Sequence, residues 1–251
     1  MKELISVITP TYNAERFIEQ TYQSLLNQDH TEWEWLVTDD CSTDSTLHIL
    51  YQIAKNDNRV KIESNDINQG AAVTRNKSLN RSSGKFVAFL DSDDLWHEKK
   101  LSTQLVFMMK NSSAFSFTSF KMIDKNGCFL NKIVDKKNLH TLTYSDMLRK
   151  KATLGCSTVM LNLSKVGKVQ MPLIRTGQDY GLWLNILKKG HNADHIPEVL
   201  TDYRVLKNSI SRNKFRKAKR QWQIYRELEK IALHSAIYFF ICYSWRAVFR
   251  R

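Results

Sequence analysis

Proline and glycine are scarce in this chain of 251 residues, which contains 3 prolines and 8 glycines. Long flexible linkers are usually rich in these residues, so their scarcity argues against such linkers. The four cysteines are widely spaced and include no Cys-x-x-Cys pair; they are Cys41, Cys128, Cys156 and Cys242. This spacing argues against a zinc site or a disulfide framework, and it favours the reduced thiols of a cytoplasmic protein.

Glycine-rich nucleotide signatures are also missing. Ser83-Gly84-Lys85 lacks the upstream glycine of a phosphate-binding loop, and no Gly-x-Gly-x-x-Gly follows the first apolar run. The seven histidines are scattered without ligand spacing, and no Ser/His/Asp set is recognisable. The apolar run at the N-terminus, Leu4–Thr9, is too short for the core of a signal peptide and predicts a first strand instead.

Positive charge is concentrated in the last fifth of the chain. Residues 204–251 hold 5 lysines and 8 arginines against two acidic residues, which accounts for most of the net charge of +13. A basic tail of this kind indicates an anionic partner, such as membrane phospholipid, a lipid-linked diphosphate or nucleic acid. The rest of the chain is close to neutral.

Short apolar runs alternate with stretches of helical periodicity. The pattern predicts strands at Leu4–Thr9, Glu34–Thr38, Val60–Glu63, Phe86–Leu90, Ala114–Ile123, Thr158–Leu163 and Val199–Val205. It predicts helices at Glu15–Asn27, after Asp44, and at Gly70–Asn80, Lys99–Met109, His140–Lys151, Gly177–Leu187 and Arg216–Arg251. Strands that alternate with helices indicate an α/β fold with a Rossmann-like, doubly wound, mostly parallel sheet.

Polar clusters follow three of the predicted strands. They are Thr11-Tyr12-Asn13, Asp39-Asp40 and Asp91-Ser92-Asp93-Asp94. In an open parallel sheet, ligands bind beyond the carboxyl ends of the strands, so these clusters predict one binding site. A helix N-cap would explain one aspartate of the last cluster, whereas a divalent cation would explain why several carboxylates stand together.

Five segments, in this order, resemble the inverting glycosyltransferases of family 2, in particular bacterial enzymes that build surface polysaccharides such as O-antigen, capsule or teichuronic acid. They are SVITPTYNAERFIEQTYQSLLNQ, EWLVTDDCSTDST, NQGAAVTRNKSL, GKFVAFLDSDDLW and GQDYGLWL. The resemblance implies a GT-A fold over residues 1–210, with a nucleotide-binding half at 1–96 and an acceptor-binding half at 97–210. A basic amphipathic helical tail at 211–251 follows.

The resemblance also implies a site for a nucleotide-sugar donor, most often a UDP-sugar. Its residues would be Pro10, Thr11, Tyr12, Asp40, Asn68, Arg75, Asp91 and Ser92. Tyr12 would stack on the base, Asp40 would accept a hydrogen bond from the uracil N–H, and Arg75 would face the diphosphate. Ordinary alternatives are a loop aromatic for Tyr12, a surface salt bridge for Arg75, and turn or capping roles for Asp39 and Asp44.

Asp91-Ser92-Asp93 is the family's Asp-x-Asp motif, which implies a Mn²⁺ or Mg²⁺ cofactor. Asp93 is expected to ligate the metal directly, Asp91 to hold the ribose or a metal water, and Asp94 to support them. Asp179 falls at the position of the catalytic base, which takes the proton of the acceptor hydroxyl. It could serve as a helix N-cap as well.

Two departures from the family pattern stand out. Many relatives have Glu-Asp where this chain has Gln178-Asp179, which leaves the base in place. Many relatives also have a histidine where Leu206 stands, and that histidine can complete the metal shell. With leucine there, Arg204, Lys207 and Ser209 are candidates to contact the diphosphate instead.

The expected partners are the donor, an acceptor that is a saccharide or a polyprenyl-diphosphate-linked saccharide, and an anionic membrane surface. An oligomer is compatible with the sequence, and no nucleic acid is expected. The aromatic and basic tail predicts a peripheral protein on the inner face of the cytoplasmic membrane. Equally, its aromatic side could pack on the catalytic domain. Rival functions are a metal-dependent nucleotidyltransferase, a non-catalytic binding module and a nucleic-acid binder.

Overall fold

The computed structural model describes residues 3–137, 139–206 and 214–249. Ten strands of this part of the chain form one mixed sheet. They are β1 (Ile5–Thr11), β2 (Trp33–Asp39), β3 (Val60–Ser64), β4 (Phe86–Phe89), β5 (Leu95–Trp96), β6 (Phe115–Ile123), β7 (Phe129–Val134), β8 (Thr141–Leu142), β9 (Val159–Asn162) and β10 (Ala193–Arg204).

Helices connect the strands and extend the chain at its C-terminal end. They are α1 (Ile18–Leu26), α2 (Thr46–Asn56), α3 (Ala71–Asn80), α4 (Lys100–Lys110), α5 (Tyr144–Leu148), α6 (Leu163–Val166), α7 (Gln178–Lys188), α8 (Lys214–Gln223) and α9 (Leu233–Phe249). A short 3₁₀ turn spans Cys156–Thr158, and a π-helical turn at Ile224–Leu228 lies between α8 and α9.

The sheet consists of two parallel parts joined by one reversed strand. Its main order is β3-β2-β1-β4-β9-β6-β10-β5. The first four strands are parallel, as are β6 and β10, and β9 lies antiparallel between β4 and β6. The predicted doubly wound, mostly parallel arrangement is therefore confirmed, with a reversal at β9.

Both faces of the sheet are covered, as parallel strands require. Along β4, Phe86 and Ala88 pack into a core with α1, α2 and α4, while Val87 and Phe89 pack into a second core on the other face. This alternation follows from the two-residue period of a strand. Trp183 of α7 lies in the second core, where its ring contacts Phe89 at a centroid distance of 5.4 Å.

Two predicted elements have different bounds in the structure, and one long strand was not predicted. The helix expected at His140–Lys151 is only α5, because a capping box between Thr143 and Asp146 starts the helix at Tyr144. β10 begins at Ala193 instead of Val199. Register shifts after Ile196 and Val199 interrupt the regular alternation of the strand, so its first half was not recognised in the sequence. β7 was not predicted, since its side chains are mostly exposed and show no apolar pattern.

The C-terminal extension is a pair of helices where one long helix was predicted. The chain turns at Lys230, which has a positive φ of 53°. Ile224, Tyr225 and Ala236 are buried in the same core as Trp183. The alternative that the aromatic side of the tail packs on the catalytic domain is thus what the structure shows. The boundary predicted at residue 210 lies outside the described residues, so the division into domains stays a prediction.

Candidate active site

The carboxyl ends of β1, β2 and β4 meet at one edge of the sheet. Thr11, the last residue of β1, is in register with Asp39, the last residue of β2, and Asp91 follows β4 by two residues. Pro10 and Thr11 belong to the strand, which was predicted to end at Thr9. Tyr12 begins the following loop, and 51% of its surface is exposed. The three polar clusters therefore come together as the sequence predicted.

Asp40 is buried and organises the loop that leads into α3. Its carboxylate accepts hydrogen bonds from the backbone N–H groups of Gln69 and Gly70, both at 2.8 Å, and from Asn65 Nδ2 at 2.7 Å. Burial would raise the pKa of Asp40, but these hydrogen bonds lower it below its ordinary value. Asn68 Nδ2 donates to the Asp40 carbonyl at 3.2 Å. Asp40 is therefore a charged anchor of the 65–70 loop, and its contact with a base stays a prediction.

Asp39 and Asp44 have the turn and capping roles that the sequence left open for them. Asp39 accepts from the backbone N–H of Ser42 at 2.8 Å and from the Ser42 hydroxyl. Asp44 accepts from the backbone N–H of Thr46 at 3.0 Å, at the start of α2. Neither carboxylate is needed to explain the binding site.

Arg75 joins α3 to the acidic loop. Its Nη2 donates to Asp91 Oδ1 at 2.6 Å, and the guanidinium side chain is only 6% exposed. Arg75 therefore forms the salt bridge that was the alternative for it, but its guanidinium is buried and does not lie at the surface. Arg75 Nε is buried without a hydrogen bond partner among the described residues. Asn76, the next residue, exchanges two hydrogen bonds with the backbone of Met171, so its side chain serves the fold.

The loop of residues 91–94 runs into β5, so the helix N-cap alternative for its aspartates is wrong. Asp94 is buried and accepts hydrogen bonds from Ser157 Oγ at 2.6 Å and from the backbone N–H of Arg204 at 2.9 Å. Ser157 Oγ in turn accepts from the backbone N–H of Asp91 at 3.0 Å. The Ser92 carbonyl accepts from Thr21 Oγ1 at 3.1 Å. Through Ser157, Asp94 therefore holds the backbone of the loop at Asp91, and its support of a metal site stays a prediction.

Arg204 does not have the diphosphate-binding role considered for it. Its guanidinium is buried, with Nε donating to the Asp93 carbonyl at 2.7 Å, Nη1 to the Lys125 carbonyl at 3.1 Å, and Nη2 to Gln20 Oε1 at 3.0 Å. Because these acceptors use most of its donors, Arg204 fixes the acidic loop from behind. Lys207 and Ser209 lie outside the described residues.

The acidic loop suits a divalent cation with an incomplete protein shell. Among the described residues, no group of three or more His, Cys, Asp or Glu side chains could hold a metal ion. Asp91 and Asp93 provide two carboxylates, the hard oxygen ligands that Mn²⁺ and Mg²⁺ take. Burial and the neighbouring Asp91 charge raise the pKa of Asp93 to about 6, so a cation would relieve this repulsion. Leu206 supplies no ligand atom, which leaves the remaining positions to substrate and water.

Asp179 lies at the start of α7, one residue after Gln178. Gly177 precedes the helix with a φ of +77°, in the left-handed region that glycine adopts without strain. Asp179 and Asp91 line the same cavity of about 420 Å³, together with Lys150, Cys156 and Tyr203. The predicted base and the first aspartate of the Asp-x-Asp motif are thereby brought to one site.

The sequence pattern of Glycosyl transferase family 2 matches residues 6–163. The chain belongs to this family. It is 47% identical over its full length to the putative teichuronic acid biosynthesis glycosyltransferase TuaG of Bacillus subtilis, of which it covers 98%. It is 37% identical over 88% of its length to WfgD of Escherichia coli, a UDP-Glc:α-D-GlcNAc-diphosphoundecaprenol β-1,3-glucosyltransferase, of which it covers 85%.

Solved structures confirm the GT-A fold of this family 2 glycosyltransferase. TarS of S. aureus, in complex with UDP-GlcNAc, superposes with a TM-score of 0.73 at 24% identity. That match covers 91% of this chain and 65% of the TarS chain. The mannosyltransferase PcManGT of Pyrobaculum calidifontis, in complex with GDP-Man and Mn²⁺, has a TM-score of 0.69 at 20% identity and covers 92% of this chain and 66% of its own.

Three residues of the glycosyltransferase site were missed in the sequence. Asn65 follows β3 directly, so the rule that found the other strand-end clusters would have found it too. Ser157 lies in the 3₁₀ turn before β9, and no pattern marks a residue that connects two loops from such a place. Lys150 has a positive φ of 57° in the loop after α5, an irregular segment that the sequence suggested was helical.

Proposed function

We propose that this glycosyltransferase moves a sugar from a UDP-sugar onto a saccharide carried on a polyprenyl diphosphate, with inversion at the anomeric carbon. The product would belong to a bacterial surface polysaccharide. The proposal takes the donor and acceptor classes from the name of the WfgD relative and the pathway class from the name of the TuaG relative. The observation that carries it is the single cavity lined by both Asp91 and Asp179.

On the donor side, the strand-end loops of β1 and β2 would hold the nucleoside, with the Tyr12 ring available for stacking on the base. The ion pair with Asp91 fixes the position of the Arg75 guanidinium relative to the Asp91 carboxylate before the donor binds. A divalent cation held by Asp93 and Asp91 would neutralise charge on the departing nucleoside diphosphate. Asp94, Ser157 and Arg204 hold the acidic loop in place for that task.

On the acceptor side, the Asp179 carboxylate would take the proton of the attacking hydroxyl. A carboxylate suits this step because the hydroxyl becomes acidic as it bonds to an anomeric carbon with oxocarbenium character. Attack from the face opposite the leaving group inverts the anomeric configuration. The first turn of α7 fixes the carboxylate to a rigid element of the core.

The test is a donor panel with the purified full chain and Mn²⁺: UDP-glucose, UDP-galactose, their N-acetylated forms and GDP-mannose. We expect metal-dependent release of UDP from one donor, accelerated by a diphospholipid-linked saccharide. Asp93→Ala should abolish the metal-dependent release. Asp179→Asn should lower transfer by about 10²–10⁴-fold, the usual contribution of a general base, while the calorimetric affinity for UDP stays unchanged.

The rival enzymatic outcomes are separable in the same assay. With pyrophosphate added to the same reaction, formation of UTP and sugar 1-phosphate without UDP would identify a nucleotidyltransferase, against the family assignment. UDP binding without turnover of any donor would indicate a binding module. Full transfer activity in Asp179→Asn would remove Asp179 from the role of base.

We also propose that the protein binds the inner surface of the cytoplasmic membrane through α9. In the described residues no helix is long and apolar enough to cross a bilayer. However, α9 exposes an apolar stripe at four-residue spacing, Leu233, Ile237, Ile241 and Trp245, while Ala236 on its other side is buried. Such a helix can lie in the interfacial plane, close to a lipid-linked acceptor.

A further inference from the structure

The acceptor side of the active-site cavity is lined by unpaired cations. Lys150, Lys217, Arg220 and Arg246 all face the cavity that contains Asp179. Each is half-buried, and none forms a salt bridge within the described part of the chain. Asp91 and Asp179 line the same cavity, so four cations face two carboxylates. The remaining excess of positive charge is costly, because each cation disfavours its neighbours. Such an arrangement is expected where an anion of high charge binds.

The cations are held in place by contacts with the protein backbone and with rings. Arg246 Nη1 donates to the Lys150 carbonyl at 3.1 Å, which ties α9 to the loop after α5. Lys150 Nζ lies 3.1 Å from the centroid of the Tyr180 ring, in α7. The Arg220 side chain packs on Gly177, where its Cδ would be 3.1 Å from a Cβ. Arg220 is therefore fixed beside the residue that precedes the Asp179 helix.

Two further observations agree with an anion site. Gln221, which is 2% exposed and lines the same cavity, has a buried Nε2 that lies near the Tyr180 and Tyr225 hydroxyls but makes no hydrogen bond of ordinary geometry in the described residues. Burial and the charge of Arg220 lower the pKa of Lys150 to about 7, while Asp179 acts in the opposite direction. An anion between these groups would supply both an acceptor for the amide and a counter-charge for the lysine.

We propose that Lys150, Lys217, Arg220, Gln221 and Arg246 form a subsite for the diphosphate of the acceptor. This inference rests on the proposed function, in which the acceptor is a saccharide on a polyprenyl diphosphate. Phosphate oxygens accept hydrogen bonds from guanidinium, ammonium and amide groups alike. The subsite would hold the acceptor by its anionic linker and present its sugar hydroxyl to Asp179.

This subsite and the site of the donor diphosphate are built from different elements, although Asp91 lines the same cavity. The donor would be held at the ends of β1, β2 and β4, where Arg75 is already paired with Asp91. The four cations instead come from α8, α9 and the loop after α5. The same α9 exposes the apolar stripe, so the polyprenyl chain of an acceptor bound at Arg246 has a path to the lipid surface.

The experiment is calorimetric titration of the full chain with farnesyl diphosphate, in the presence of saturating UDP and Mn²⁺. We expect farnesyl diphosphate to bind and farnesol to bind at least tenfold more weakly. Lys217→Gln and Arg220→Gln should each weaken the diphosphate by about tenfold, and Arg220→Lys should restore part of the affinity. Lys219→Gln, the same charge change on the exposed side of α8, should leave binding unchanged.

Equal affinity for farnesol and farnesyl diphosphate would overturn the subsite. So would competition between UDP and farnesyl diphosphate, or an affinity for farnesyl diphosphate that is unchanged in both Lys217→Gln and Arg220→Gln. A thermal melt of each variant distinguishes lost binding from lost folding. Release of UDP from the donor panel is measured in parallel. If the wild type binds farnesyl diphosphate at this site but releases no UDP from any donor, the proposed function fails and the subsite stands.

Discussion

Buried carboxylates in this protein are of two kinds, and the difference marks the site. Glu34 and Asp40 receive several hydrogen bonds each, and their pKa values are lowered. Asp93 and Asp94 lie beside each other and beside Asp91, and burial together with these like charges raises their pKa values. Carboxylates of the first kind stabilise the fold without a bound ion, because hydrogen bonds from the protein satisfy them. The second kind gains most from a cation, which is the physical argument for a metal at the acidic loop.

Glu34 gives a prediction for the pH dependence of stability. Its carboxylate accepts from Ser6 Oγ at 2.6 Å, from the Ser83 N–H and hydroxyl at 2.8 and 2.7 Å, and from Lys61 Nζ at 2.6 Å. Burial would raise the pKa, but the bonds from Lys61, Ser6 and Ser83 outweigh it and lower the pKa from 4.5 to about 2. The folded state thus binds the proton less readily than the unfolded chain, so the stabilisation is present above pH 4.5 and is lost as pH falls towards 2.

We expect Glu34→Gln to lower the free energy of unfolding at pH 7 by up to about 3 kcal/mol, since each unit of pKa shift corresponds to about 1.4 kcal/mol. Urea unfolding at pH 7, 5 and 3.5 should show that the difference in free energy of unfolding between wild type and variant becomes smaller as pH falls. Glu32→Gln, at an exposed neighbouring position, is the matched control, with a change within about 0.5 kcal/mol. A difference that stays constant with pH would contradict the argument.

At the scale of elements, α7 connects Asp179, the proposed base, to the C-terminal extension through Gly181. A Cβ at Gly181 would stand 2.7 Å from Pro172 Cγ and 2.9 Å from Leu228 Cδ2. Although alanine is the better helix former, its Cβ would force both the Pro172 ring and the Leu228 side chain of the extension to shift. We expect Gly181→Ala to destabilise the protein by about 1–3 kcal/mol, measured by urea unfolding.

Hydrogen exchange should locate the effect of Gly181→Ala in residues 224–236, where protection should fall. Asn185→Ala, on the exposed side of the same helix, should be neutral or slightly stabilising. An unchanged exchange pattern in Gly181→Ala would mean that α7 and the extension are not coupled through this contact.

The apolar stripe of α9 gives the prediction for membrane binding. Each isoleucine buried in the interface contributes roughly 1.5–3 kcal/mol, so Ile237→Ser with Ile241→Ser should weaken binding by about a hundredfold or more. Sedimentation with vesicles of phosphatidylethanolamine and phosphatidylglycerol measures this. Leu130→Ser is the control, because Leu130 is 45% exposed and Ile237 is 46% exposed. Equal sedimentation of the double variant and wild type would exclude α9 as the membrane contact.

At the scale of the molecule, the sequence was most informative over the first part of the chain, where strands and helices alternate regularly. The strands up to β4 and the strand-end clusters followed from alternation and from the rule for parallel sheets. Contacts between distant segments could not be derived, because Ser157 reaches the acidic loop only through the packing of β9 beside β4. For the same reason, the charge of the tail indicated an anionic partner but could not show that Lys217 and Arg220 line the same cavity as Asp179.

Contacts of the C-terminal extension bear on the domain boundary predicted at residue 210. Ile224 and Tyr225 are at most 2% exposed, and the Tyr225 hydroxyl donates to the Leu148 carbonyl at 2.6 Å. A chain that ends at residue 210 loses these two buried side chains, which contribute about 3–6 kcal/mol by area. We expect its thermal midpoint to fall well below that of a chain ending at residue 249. Equal midpoints would show that residues 1–210 fold independently.

The reversed strand β9 has a consequence for how the chain is made. β4 ends at Phe89 and β6 at Ile123, but the strand that joins them begins only at Val159. On the ribosome, about 70 further residues must therefore be added after β4 before β9 can pair with it, which takes roughly 4 to 14 seconds. During that time β4, paired with β1 on one side only, presents an unpaired strand edge to any neighbour. This interval is therefore when the nascent chain is most open to association with other chains and to binding by chaperones.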